Sequence, residues 1–365
     1  MKTKILKLEL REDKRLLFIS DIHGNIDLFE KILQKVNYTK DDYLFIVGDM
    51  IEKSNENIKM LDYAIRLSKN KNVYILCGNC DNVILNLRGK VDDDLLRFYA
   101  LQRGKTIINE FAAGLGVKID EDSNMQTLCD KFSVKYKKYY DFVESLPHVI
   151  FINDKVVTCH GGINDLANIS SSALDLMKYD DFYEKLEHPL TKPLIVGHYP
   201  TLNYQAKIPS LNPIIDLKKN VISIDGGNNV IPWSQLNCLI IDNLTDLHFS
   251  YEYVDSYFEV KVLEDVNVIN DTLYNIRKTP KTIDIIKEYA DFYYAKTSDN
   301  AYIYALKEEV FYDKKIDRMK VYNGFNYFIP LKKGDKVKLI FKRQPYSIVK
   351  KDGILGLVET KYLGG

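Results

Sequence analysis

The sequence predicts an α/β layered fold over residues 1–248, followed by a small all-β module. Three observations carry that expectation. Short apolar runs of strand length alternate with helix-periodic segments through the first part of the chain. A stretch spanning 88–146 has helical periodicity and no strand signal, so it reads as a helical insertion. After residue 250 the chain becomes dense in Tyr, Val, Ile, Phe and Lys, punctuated by the turn signals "YNG", "KKGD" and "KKDG".

In chain order, strands are expected at Arg15 to Ser20, Tyr43 to Val47, Val73 to Leu76, Val149 to Ile152, Lys155 to Cys159, Leu194 to Val196, Val221 to Ile224 and Gln235 to Ile241. Helices are expected after the first three, at Ile26 to Lys35, Asn55 to Leu67 and Asp81 to Leu87. Residues 249–290 read as a linker or packing segment, with room for a helix in "NIRKTPKTIDIIKEYADFYYAK". Residues 291–365 read as the β-module, and Asp352-Gly353 between two β-rich runs signals a tight hairpin.

Composition narrows the partners. Among 365 residues, 51 Lys+Arg balance 51 Asp+Glu, which implies no bulk attraction to nucleic acid or to an anionic membrane. The segment "MKTKILKLELREDKRLL" has no apolar run of signal or membrane length. Five cysteines in a chain this long make no disulfide framework, so a reduced, cytoplasmic protein is expected.

The chemistry gathers at strand ends. Asp21 and His23 follow the first strand, Asp49 the second and Asn79 the third, while His160 and His198 end two later apolar runs. In open α/β sheets, ligands bind at the carboxyl ends of strands. A lone Asp-x-His is ordinarily a surface turn, and a lone His near a strand is ordinarily a core residue. Five strand ends that each deliver a metal-ligand type point instead to one metal site. "CGNC" (Cys77 to Cys80) also has the layout of a redox pair. That reading leaves Asp21, His23, Asp49, His160 and His198 unexplained.

Together, Asp21-x-His23-Gly24, Gly48-Asp49, Gly78-Asn79, His160-Gly161-Gly162 and Gly197-His198 resemble the five blocks of the calcineurin-like metallophosphoesterases. Within them, "FVESLPHVIFINDKVVTCHGGIN", "VGHYP" and "SIDGGNNV" are most similar to the phosphoprotein-phosphatase branch. The resemblance implies a β-sandwich flanked by helices and two divalent ions (Mn, Fe or Zn, with Mn favoured). Asp21, His23 and Asp49 would hold one ion. Asp49, Asn79, His160 and His198 would hold the other, with Asp49 bridging. It also implies hydrolysis of a phosphomonoester or phosphodiester by hydroxide at that centre. The substrate would be a phosphorylated small molecule, a nucleotide or a phosphoprotein.

The chain departs from the family pattern at the catalytic accessories. Cys80 stands where the family keeps a proton-donating His, followed by Asp81. Glu52 replaces the Asp that would orient that His, and Lys53 replaces a phosphate-gripping Arg. Cys80, Asp81 and Glu52 are therefore the candidate catalytic accessories beside Asp49. Asn79, Lys53 and Arg88 are candidate substrate contacts, with Arg103 a further substitute clamp. These losses favour diesters and good leaving groups over phosphoserine. They also leave room for a catalytically weak metal-binding scaffold. The tail "KKDGILGLVETKYL" is similar to bacterial SH3-type barrels, which implies a docking module for a peptide or protein partner or a stabilising appendage.

Overall fold

Alternation along the strands decides how the first unit is layered. The computed structural model describes residues 2–167, 169 and 172–364. One sheet of the first unit (Met1–Tyr199 with Pro213–Val254) runs in the order β1 (Ile5–Leu8), β5 (Val149–Ile152), β6 (Val156–Cys159), β7 (Leu194–Val196), β9 (Val221–Ser223), β8 (Ile214–Asp216). The other runs β11 (Phe249–Val254), β10 (Leu236–Ile241), β2 (Leu16–Ile19), β3 (Tyr43–Val47), β4 (Val73–Leu76). Leu16, Phe18, Phe45 and Val47 pack with Ile150, Ile152, Val156 and Ile195 of the opposite sheet. Their neighbours Leu17, Ile19, Leu44 and Ile46 face Phe29, Ile32, Met60 and Leu61 on helices. Both faces of β2 and β3 are thus buried, which is why the sequence shows continuous apolar runs there.

Helices α1 (Ile26–Lys35) and α2 (Asn57–Leu67) cover one outer face. The insertion folds as α3 (Asp93–Arg103), α4 (Ile107–Gly114), α5 (Met125–Lys135) and α6 (Lys137–Ser145), around rings such as Phe111 stacked on Tyr136 at 4.0 Å. Short α7 (Ala173–Met177) and α8 (Phe182–Lys185) lie on the other sheet through Leu176 and Phe182. The architecture is the mixed α/β sandwich that the sequence predicts. No helix among the described residues is long and apolar enough to cross a membrane.

Three expectations change. Asp81–Leu87 is a 3-10 helix, closed by bonds such as Val83 N–H to Cys80 O at 3.3 Å. β1 escapes the sequence reading because it is a half-exposed edge strand whose parallel partner β5 lies more than a hundred residues away. Residues 249–290 contain no helix and instead hold β11, β12 (Glu259–Lys261) and β13 (Lys281–Glu288). A bulge between Ile285 and Lys287 breaks the period-two pattern of β13 and disguises it as helical.

The second unit comprises Pro200–Asn212 and Asp255–Gly365. Its five-stranded sheet runs β15 (Tyr302–Leu306), β14 (Phe292–Thr297), β13, β17 (Arg318–Val321), β16 (Val310–Asp313). Its four-stranded sheet runs β12, β18 (Lys336–Phe341), β19 (Tyr346–Lys351), β20 (Ile354–Glu359). Asp352 (φ 51°) and Gly353 (φ 74°) make the two-residue turn joining β19 to β20, with the paired positive angles that such hairpins require.

Candidate metal centre

The loops leaving β2, β3, β4, β6 and β7 meet above one end of the first unit's sandwich. The first two are zipped by backbone bonds from Asp21 to Gly48 O (3.1 Å), His23 to Asp49 O (3.0 Å) and Gly24 to Met50 O (2.7 Å). Asp21, His23, Asp49 and His198 all adopt left-handed backbone angles, with φ between 47° and 68°. Non-glycine residues pay about 1–3 kcal/mol for such sparsely populated conformations, and these cluster where function resides. Glycines relieve the crowding: a Cβ on Gly78 would lie 2.2 Å from Asp49 Oδ1, and one on Gly48 2.6 Å from His160 Nδ1.

Each imidazole is fixed from behind. His23 Nδ1 lies 3.1 Å from Ile51 O, and His160 Nδ1 lies 2.7 Å from Val47 O. A carbonyl only accepts, so both rings carry a proton on Nδ1 and aim Nε2 into the site. His198 is held the other way round, with Nε2 at 2.8 Å from Asp180 Oδ1, leaving Nδ1 for the site. Asp49 Oδ1 is 3.2 Å from His160 Nε2, and Asp49 Oδ2 is 4.0 Å from His23 Nε2. Asp21 Oδ2 accepts the His198 N–H at 3.0 Å, whereas buried Asp21 Oδ1 has no donor and lies 3.8 Å from His23 Nε2.

This donor set fits cations. The Asn79 amide places one terminal atom 2.8 Å from His198 Nδ1 and 3.3 Å from His160 Nε2. An oxygen there faces only acceptor nitrogens, which a shared cation makes favourable. Positive charge is drawn in regardless: Lys53 Nζ sits 3.0 Å from His23 Nε2. Burial disfavours a charged His160, yet the Asp49 carboxylate overrides it and pushes the pKa up to about 10. Two donor groups emerge, His23–Asp49–Cys80 and Asp49–His160–His198, which share Asp49.

The calcineurin-like phosphoesterase profile matches residues 14–225, more than half of the chain and every strand end just described. The chain belongs to this family. The symmetrical bis(5'-nucleosyl)-tetraphosphatase of Buchnera aphidicola subsp. Schizaphis graminum (strain Sg) is 32% identical over 111 residues, covering 29% of this chain and 40% of the relative. Its counterpart from Buchnera aphidicola subsp. Acyrthosiphon pisum (strain 5A) is 33% identical over 78 residues, covering 21% and 28%. The matched stretch therefore spans less than half the length of these relatives. Among solved structures, a serine/threonine phosphatase from Saccharomyces cerevisiae shares 12% identity at a TM-score of 0.43, covering 70% of this chain and 84% of that one. A metallophosphoesterase from Sphaerobacter thermophilus shares 15% identity at a TM-score of 0.37, covering 66% and 88%.

Around the centre, some expected residues are engaged elsewhere. Asp81 is fully buried, and its oxygens accept the N–H groups of Met50 and Gly78, both at 2.9 Å. It braces two ligand loops, with burial and then the Asp49 charge raising its pKa to about 7. Glu52 accepts from Ile107 N–H at 2.8 Å and Tyr99 OH at 2.7 Å, tying the insertion to the loop that carries Lys53. Arg88 is committed to Glu144 (2.7 Å) and Asp141 (3.4 Å) and covers the Tyr140 ring, so it does not serve the centre. Arg103 stacks on Tyr99 at 5.0 Å, beside the Glu52 anchor.

Sequence reading missed several supports. Asn228 Nδ2 donates to Ile22 O at 2.7 Å, and Asn229 Nδ2 donates to His23 O at 3.0 Å, holding the first ligand loop. Asp225 is buried just beyond β9, with Oδ2 unpartnered. The signal for it existed, since it is another acid before glycine at a strand end. Asp180 had none, because nothing in "KYDDFYEK" relates it to His198. Asp180→Ala is expected to weaken metal binding by about 10–100-fold, measured by competition with a chromophoric chelator, while circular dichroism stays unchanged.

Proposed function

We propose that this protein is a metal-dependent phosphoesterase acting on nucleotide-type anhydrides, phosphodiesters or aryl phosphates, which leave without needing a strong acid. The observation that carries this reading is the convergence of Asp21, His23, Asp49, Asn79, His160 and His198, with Nε2 of His23 and His160 and Nδ1 of His198 directed inward. Asp21, His23 and Asp49 would hold one divalent ion, and Asp49, Asn79, His160 and His198 the other. Mn, Fe or Zn all suit such ligands. When bound, such a pair activates water and polarises a phosphoryl group.

The chain's own residues define the rest. Lys53, on a left-handed, half-exposed loop, supplies the cationic contact for phosphoryl oxygens once displaced from His23. Asp180 and the carbonyls of Val47 and Ile51 keep the three rings in register. Proton donation is weak: burial, followed by the Asp49 charge, pushes the Cys80 thiol well above its ordinary range. A poor acid suits leaving groups that depart as stable anions. The tetraphosphatase relatives support this class through their names.

Residues 291–365 are read as an SH3-like docking module, a reading supported by the Asp352-Gly353 hairpin. Five free, buried cysteines support a reduced, cytoplasmic setting.

The test is a substrate panel with metal-analysed protein: diadenosine tetraphosphate, bis-p-nitrophenyl phosphate, p-nitrophenyl phosphate and a phosphoserine peptide. The first three are expected to exceed the peptide by about 100-fold or more in kcat/KM, the scale of one missing general acid. Equal rates would remove the leaving-group argument. Inactivity on all four with Mn, Fe and Zn would favour a metal-binding scaffold.

A further inference from the structure

We propose that Cys80 is a thiolate ligand of the cation held by His23 and Asp49, so that this half of the centre selects a thiophilic metal over Mn(II) or Mg(II). The inference rests on the metal-centre reading above and deepens it. Donor atoms of His23, Asp49 and Cys80 lie within 4.8 Å of one another, and all three residues are buried. The Cys80 N–H donates to Asp49 Oδ1 at 2.8 Å, which pins residue 80 against the shared carboxylate. Cys77 has different surroundings: it lies in the apolar core between sheet and helices, with Sγ 3.5 Å from Gly78 O. The two cysteines of "CGNC" therefore separate into a core residue and a site residue.

Sulfur in this position is chemically specific. A tetrahedral ion bonded to sulfur at about 2.3 Å and to nitrogen at about 2.1 Å holds those atoms about 3.6 Å apart. The three donors need draw in by only about an ångström, within the reach of rotamer adjustment. Lys53 Nζ, 3.0 Å from His23 Nε2, marks the same place as one that attracts a cation. On binding, the S–H bond breaks, a sulfur–metal bond forms and the proton leaves to solvent, with no change of oxidation state. An N/O/S set favours Zn(II), Fe(II) or Co(II), whereas Mn(II) and Mg(II) prefer oxygen. Residue 80 then no longer acts as proton donor, which agrees with a preference for self-sufficient leaving groups.

Titration of the metal-stripped, full-length protein with Co(II) tests this directly, because thiolate ligation produces a near-ultraviolet sulfur-to-cobalt charge-transfer band. The band is expected in wild type and in Cys77→Ser, and absent in Cys80→Ser, which still shows the visible bands of bound cobalt. Zn(II) affinity is expected to fall by about tenfold or more in Cys80→Ser while Mn(II) affinity stays within about twofold. Stoichiometric Co(II) binding by wild type without the band overturns the proposal while sparing the metal centre. A band that persists in Cys80→Ser also overturns it. No Co(II) binding by wild type overturns both. The wild-type spectrum decides the matter even where a variant fails to fold.

Discussion

Asp49→Asn is expected to lower kcat/KM for the best substrate by about 10³-fold or more, the equivalent of about 4 kcal/mol of lost transition-state stabilisation. Asp49 is the side chain common to both donor groups, His23–Asp49–Cys80 and Asp49–His160–His198. Asparagine keeps the shape and one acceptor oxygen but removes the charge that two cations would share. The loss should therefore appear in metal content as well as in rate. Plasma mass spectrometry of the purified variant is expected to find less than half the wild-type metal, with an unchanged circular dichroism spectrum. A folded variant that keeps a tenth of wild-type kcat/KM would rule out a bridging role.

The second large effect concerns stability. Lys350 Nζ lies 2.8 Å from Asp255 Oδ2, with side chains 0% and 1% exposed, and Tyr257 places its ring 5.1 Å from the ammonium. Burial pulls the Lys350 pKa down, and Asp255 opposes it. Lys350→Met strands a buried carboxylate and is expected to cost about 3–5 kcal/mol. For a unit of this size that lowers its melting temperature by about 10 °C or more. Calorimetry of the full chain should show the effect in one transition, since two units need not melt together. Adding Asp255→Leu to Lys350→Met should restore most of the loss, because an apolar pair of similar volume replaces two ions at little net cost. A single variant that melts within about 2 °C of wild type would show that the carboxylate finds another partner or a proton.

The legibility of each residue followed from how local its cause was. Asp21, His23, Asp49, Asn79, His160 and His198 each sit just past a buried strand, and the strand announces itself as an apolar run. Asp225 obeys the same rule and was readable in principle. The partners of Arg88 and Glu52, namely Glu144 and Asp141, and Tyr99 and Ile107, were not legible because they belong to the helical insertion. Sequence spacing carries no information about which helix folds against which loop. β13 was misread because one bulge shifts its alternation.

By itself, the sequence determined the α/β layering, the β-rich tail, the Asp352-Gly353 hairpin and the position of Asp21, His23, Asp49, Asn79, His160 and His198 at strand ends. Periodicity and turn chemistry are properties of a few neighbouring residues, so they survive reading in one dimension. Only the tertiary structure decided which nitrogen each histidine presents, that Asp180 stands behind His198, that Arg88 turns away, and that Cys80 rather than Cys77 joins His23 and Asp49. These depend on contacts between segments up to 113 residues apart, which close only when the two sheets stack and bring their loops to one edge.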